Sequence, residues 1–142
     1  MPKIMETIKT NMEVIKVPTE PRYINEVSNK ISALLEKKSV NKNLIFEIRL
    51  SLSEAVRNAM VHGNKNDACL TVTIYCNIDD DKIELSVEDQ GQGFSPNKVP
   101  DPTVRENVTK ESGRGVYLIR HLMDEVSYNQ KGNVIRMTKS LR

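Results

Sequence analysis

Three clusters of residues carry types and spacings that could do chemistry. Glu54, Asn58 and His62 recur every fourth residue, which on a helix places them on one face, apart from the main apolar stripe. A carboxylate and an amide so placed can serve as a general base and as an oxygen ligand for a hard cation such as Mg²⁺, shared with substrate phosphates. The same spacing also describes a solvated helix face. In the second cluster, Val87-Glu88-Asp89-Gln90-Gly91-Gln92-Gly93-Phe94, Asp89 stands where a strand should end, and Gly91 and Gly93 let backbone approach a ligand closely. An ionised carboxylate only accepts hydrogen bonds, which suits an exocyclic amine such as that of adenine. The plain alternative is a glycine turn after a strand. In the third, Ser112-Gly113-Arg114-Gly115 leads into a helical pattern, where exposed backbone N–H groups can bind phosphate, or simply form a capped loop. The sequence contains no P-loop, and no dinucleotide-binding glycine fingerprint follows its first strand. His62 and His121, the only histidines, lie on different elements and suit a helix end and a surface or packing position better than a metal pair.

These clusters need elements to hold them. Thr7 to Val17 is rich in β-branched and alternating residues and predicts a first strand, closed by Pro18 and Pro21. Ile24, Val27, Ile31, Leu34 and Leu35 predict a helix from about Pro21 to Lys37. A second helix, capped by Asn41 or Asn43, carries Leu44, Ile48, Leu52, Ala55, Val56 and Ala59 as its apolar stripe and should end near His62-Gly63-Asn64, with Gly63 as its C-terminal cap. Leu70 to Ile78 and Ile83 to Glu88 alternate as two strands joined by Asp79-Asp80-Asp81. Gln90 to Gly115 is rich in glycine and proline and poor in apolar residues, the composition of a long lid. Val116, Ile119, Leu122, Met123 and Val126 predict a third helix, and a last hairpin turns at Lys131-Gly132 between Glu125–Asn129 and Asn133–Lys139. The order β-α-α-β-β-lid-α-β-β predicts a two-layer α/β (α+β) sandwich: a mixed, mainly antiparallel sheet with three helices on one face.

Composition fits one domain over residues 1–142. Basic and acidic residues, 21 and 19, are interspersed for a net charge of +2, which disfavours direct nucleic-acid binding. No apolar run approaches membrane length and no signal-peptide pattern opens the chain, so a cytoplasmic location away from membranes is expected. Cys69 and Cys76 read as parts of one strand, roughly 23 Å apart at ~3.3 Å per residue, too far for a disulfide, with Cys76 in the core.

Taken in order, Glu54-Ala55-Val56-Arg57-Asn58-Ala59, Asp89-x-Gly91-x-Gly93 and Gly113-x-Gly115 resemble the three nucleotide boxes of the histidine-kinase-like ATPases, which share the Bergerat ATP-binding fold. Within that superfamily, Ser53 to Asn64 and Ser112 to Val126 look like the anti-sigma serine-protein kinases of the RsbW and SpoIIAB type. The resemblance implies ATP or ADP with Mg²⁺ as cofactors. It implies that Asn58 holds the metal, that Asp89 accepts from the adenine amine, and that Glu54 is the general base toward an attacking hydroxyl. His62, Gly91, Gly93, Lys110, Ser112, Gly113, Arg114, Gly115 and Val116 are implied to surround the nucleotide, under a lid from about Ser95 to Ser112. Where SpoIIAB-like kinases carry an arginine before the serine of the glycine loop, this chain has Glu111, which leaves Lys110 or Arg114 to supply positive charge.

As partners the resemblance implies a STAS-domain anti-anti-sigma factor that is phosphorylated on serine, a sigma factor, and a second copy in a homodimer. Two other readings compete. One is a non-catalytic ATP/ADP-binding adaptor that sequesters a regulatory protein, which would not need Glu54. The other is the catalytic domain of a sensor histidine kinase, for which the roughly twenty residues before the first helix leave no room for a phosphoacceptor helix pair.

Overall fold

Alternation along the two central strands sets the architecture. Val72, Ile74, Cys76 and Ile78 of β2 (Thr71–Ile78) and Ile83, Leu85 and Val87 of β3 (Lys82–Glu88) are all buried, while the residues between them face the other side of the sheet. The computed structural model describes residues 12–91 and 111–142, without the side chains of 111–114. Within these, β1 (Met12–Pro18) is followed by α1 (Arg22–Lys37) and α2 (Lys42–Asn58), which runs on into a π-turn (Ala59–Gly63). After β2 and β3 come α3 (Glu111–Leu122), β4 (Glu125–Tyr128) and β5 (Val134–Ser140).

The five strands lie in the order β1-β2-β3-β5-β4, and every neighbouring pair is antiparallel. The expected mixed sheet is therefore corrected to an antiparallel one. Two helices separate β1 from β2, so the chain returns to the end it left and pairs antiparallel. β5 inserts between β3 and β4, keeping apart the two strands that would have paired in parallel. The three helices and the five-stranded sheet make the expected α/β sandwich.

Each helix earns its place through its apolar face. Val27, Ile31 and Leu35 of α1 and Ile48, Leu52, Ala55 and Val56 of α2 are 0–2% exposed and pack with the inward sheet residues, Ile119 and Met137. Full burial of each larger aliphatic side chain is worth about 1.5–3 kcal/mol. The Asn41 side chain caps α2 by accepting from the Asn43 N–H at 2.7 Å. Lys139 of β5 joins three elements: its Nζ donates to Leu122 O at the end of α3 (2.7 Å) and lies 3.4 Å from Glu47 of α2. A cation at that helix end also opposes the helix dipole.

Two boundaries differ from expectation. The third helix begins at Glu111, so the glycine loop forms its first turn. It stops at Leu122, and Val126 belongs to β4, paired with Met137. Residues 7–11 of the expected first strand and 92–110 of the expected lid lie outside the described residues. Cys69 is exposed in the turn before β2, whereas Cys76 is buried and its thiol is pushed up to about 12 by burial. No described helix is long and apolar enough to cross a membrane.

Candidate functional site

Glu54 and Asn58 stand one turn apart near the end of α2, and α3 crosses them at Gly115. A Cβ on Gly115 would lie 2.9 Å from Asn58 Nδ2, 3.0 Å from Glu54 Oε2 and 3.4 Å from Asn58 Oδ1. A side chain at this position would push the tips of the carboxylate–amide pair back, so the glycine lets the α3 backbone approach them in place. Asn58 Oδ1 is buried and has no hydrogen-bond partner among the described residues. A buried acceptor left unpaired costs about 1–3 kcal/mol, which a ligand would recover. An amide oxygen beside a carboxylate is the hard oxygen donor set that Mg²⁺ accepts. No group of three or more His, Cys, Asp or Glu among the described residues could hold a metal.

The second half of the site follows directly on the same helix. Beyond Asn58 the backbone widens into the π-turn, closed by the Asn64 N–H donating to Ala59 O at 2.8 Å. The turn ends with Gly63 against Asp89, where a Cβ would overlap the Asp89 carboxyl group. A Cβ on Gly91 would likewise overlap the Gly63 carbonyl. Gly63 therefore serves close approach rather than acting as the expected C-terminal cap, and the left-handed residues in the turn that follows are Lys65 (φ 53°) and Asn66 (φ 61°). Asp89 Oδ1 accepts from the Gly91 N–H at 2.8 Å. Burial raises the Asp89 pKa above the ordinary carboxylate value, against the opposing Gly91 N–H, with Glu88 adding to the rise and Lys131 lowering it.

The expected residues fare differently. Glu54, Asn58 and Gly115 meet, as do Asp89 and Gly91. His62 lies on the π-turn that follows α2. It is exposed on that turn, with its pKa lowered by partial burial and by Arg57. Gly113 to Val116 lie inside α3, so the N–H groups of Gly115 and Val116 fall past the four that a helix start leaves free. Val116 is buried at 7% exposure. Gly93 and Lys110 lie outside the described residues, as do the side chains of Ser112 and Arg114.

Asn64 and Asn133 escaped the sequence reading. Asn64 is 2% exposed, and its Oδ1 accepts the Gln90 N–H at 2.8 Å. Asn133 holds Asp89 on both sides: its carbonyl accepts the Asp89 N–H (3.0 Å) and its Nδ2 donates to Asp89 O (3.1 Å). Neither stands in an apolar period or a glycine pattern, and both look in sequence like ordinary turn residues.

Residues 17–139 match the family model described as the histidine kinase-like ATPase domain. Serine-protein kinase RsbW of Staphylococcus aureus strains MSSA476 and JH9 is 31% identical over 136 residues, which cover 90% of this chain and 86% of the relative. The strain Newman protein of the same name aligns over the same span at the same identity. With nearly the whole folded chain inside both matches, this protein belongs to the histidine kinase-like ATPase family and, within it, to the RsbW serine-protein kinases.

Proposed function

We propose that the chain is an ATP-dependent serine-protein kinase and anti-sigma regulator that phosphorylates a STAS-domain anti-anti-sigma partner in a partner-switching system. The observation that carries this reading is the meeting of Glu54, Asn58 and Gly115, with Asn58 Oδ1 buried and unpaired among the described residues. An adaptor that only sequesters a protein needs no carboxylate at that point. Kinship with the serine-protein kinases named RsbW supports the same assignment.

The roles follow from position. Asp89 accepts a hydrogen bond from the adenine amine. Asn58 holds Mg²⁺, which when bound neutralises and orients phosphate oxygens. Glu54 takes the proton from the partner serine as its Oγ forms a bond to the terminal phosphorus and the bond from that phosphorus to the ADP oxygen breaks. General-base assistance of this kind contributes typically ~10²–10⁴-fold in rate. The product serine carries about −1.5 to −2 charges, enough to change which protein docks. The chain works in the cytoplasm as a homodimer and binds a sigma factor in its other state.

Incubating the protein with labelled ATP and the STAS-domain protein of the same host tests the reading. Label recovered on a partner serine supports it. Tight ATP binding with no transfer to that partner would favour the adaptor instead.

A further inference from the structure

Asp89 is held by groups that have no contact with a nucleotide in the proposed reading. Its neighbour Gln90 donates its N–H to Asn64 Oδ1 at 2.8 Å. Asn64 in turn donates from Nδ2 to Thr19 Oγ1 (2.8 Å) and to Thr71 O (3.0 Å), and Thr19 Oγ1 donates to Leu70 O (2.8 Å). One buried amide thus uses its acceptor and both its donors to tie the residue after Asp89 to the ends of β1 and β2. Gln90 returns the link, its Oε1 accepting the Thr71 N–H at 2.6 Å. A buried amide with all its donors and acceptors paired in this way fixes a single geometry.

The π-turn decides which residues meet there. In an α-helical turn the N–H of Gly63 would reach Ala59 O, but here the N–H of Asn64 does, at 2.8 Å. The extra residue places bare Gly63 against the Asp89 carboxyl group and puts Asn64 in the interior. Among the described residues Asp89 Oδ1 is engaged by Gly91, and no hydrogen bond involves Oδ2.

We propose that Gly63 and Asn64, presented together by the π-turn, are positioning residues that fix the Asp89 carboxylate and thereby set the choice of base. The inference rests on the reading of Asp89 as the acceptor for the adenine amine. Its consequence is that selectivity depends on residues beyond the reach of the base. A purely structural role would weaken all nucleotides alike, whereas a positioning role weakens only those that carry the amine.

The test compares ADP with inosine diphosphate, which lacks the amine, by calorimetry in the presence of Mg²⁺. The parent protein, Asp89→Asn, Asn64→Ala and Gly63→Ala are measured with thermal melts in parallel. Gly63→Ala leaves the side-chain hydrogen bonds of Asn64 in place and meets the Asp89 carboxyl group first, so it decides the matter even if Asn64→Ala fails to fold. The expected result is that the variants at 63 and 64 reduce the preference for ADP by about tenfold or more, the worth of one hydrogen bond to a charged acceptor, and change inosine diphosphate binding little. Variants that keep the parent's preference, or lose both nucleotides equally while Asp89→Asn loses selectivity, overturn the inference and leave the role of Asp89 intact. A parent protein that binds both diphosphates equally overturns the role of Asp89 and this inference with it.

Discussion

Replacing Gly115 with alanine should separate stability from function in opposite directions. Gly115 lies within α3, where alanine is favoured over glycine by about 1 kcal/mol through the entropy of the unfolded chain. Its new methyl group would sit 2.9 Å from Asn58 Nδ2 and 3.0 Å from Glu54 Oε2. Ordinary contact needs about 3.5 Å or more, so one or both side-chain tips must retreat by about 0.5 Å. Both can do so, being the ends of side chains rather than backbone, and the fold survives. The site does not, because displacements approaching 1 Å at reacting groups cost up to about 10²-fold, so a loss of about tenfold or more in phosphotransfer is expected. Thermal unfolding without nucleotide should show Gly115→Ala as stable as the parent or more so. The rise in melting temperature produced by ATP with Mg²⁺ should shrink, and single-turnover transfer should slow. Unchanged transfer together with an unchanged nucleotide-induced rise would refute the argument, since it would mean that Glu54 and Asn58 do not act where α3 crosses them.

Three further changes follow from the same structure. Asp89 has a raised pKa, so its charge is carried at a penalty above the folded value, and that penalty disappears as pH falls through that value toward the ordinary carboxylate range. Without nucleotide, Asp89→Asn should therefore be more stable than the parent at neutral pH, with the gap closing on acidification in pH-dependent melts; a gap that widens toward acid would contradict the sign. Ser51 is fully buried in α2 and its hydroxyl has no partner among the described residues, so Ser51→Ala should raise stability by about 1–2 kcal/mol in urea unfolding. Lys65 is held at φ 53°, and Lys65→Gly should stabilise the turn by about 0.5–1 kcal/mol, the αL penalty less the added entropy of an unfolded glycine; a loss of stability would show that the Lys65 side chain contributes more than its backbone costs.

Periodicity made the helices and strands readable because burial follows it. Val72, Ile74, Cys76 and Ile78 alternate in the sequence and are buried in the sheet, and the Ile48–Leu52–Ala55–Val56 stripe lies in the core. The Asp79 turn was readable for a local reason, since its Oδ1 accepts the N–H groups of Asp81 (2.7 Å) and Lys82 (2.8 Å). Strand order was not, because the insertion of β5 between β3 and β4 depends on tertiary packing that no local pattern encodes. The start of α3 was also hidden, as two glycines and a serine look like a loop although the backbone at 111–115 is helical. The π-turn escaped for a related reason: Ala59 to Gly63 continues a helical pattern, and only the Asn64–Ala59 hydrogen bond reveals the extra residue. That residue explains the central place of Asn64. The boxes around Asn58 and Asp89 were legible because close approach demands glycine at fixed points, and Gly91 and Gly115 stand at such points.

The most direct test of the central claim is single-turnover transfer of labelled phosphate from ATP to the serine of the cognate STAS-domain protein. The parent and Glu54→Gln are compared, with ATP affinity measured in parallel. If Glu54 is the base beside Asn58 and Gly115, the variant keeps ATP affinity within a few-fold while transfer falls by about 10²-fold or more. Transfer by Glu54→Gln at the parent's rate, with the same affinity, would contradict the account.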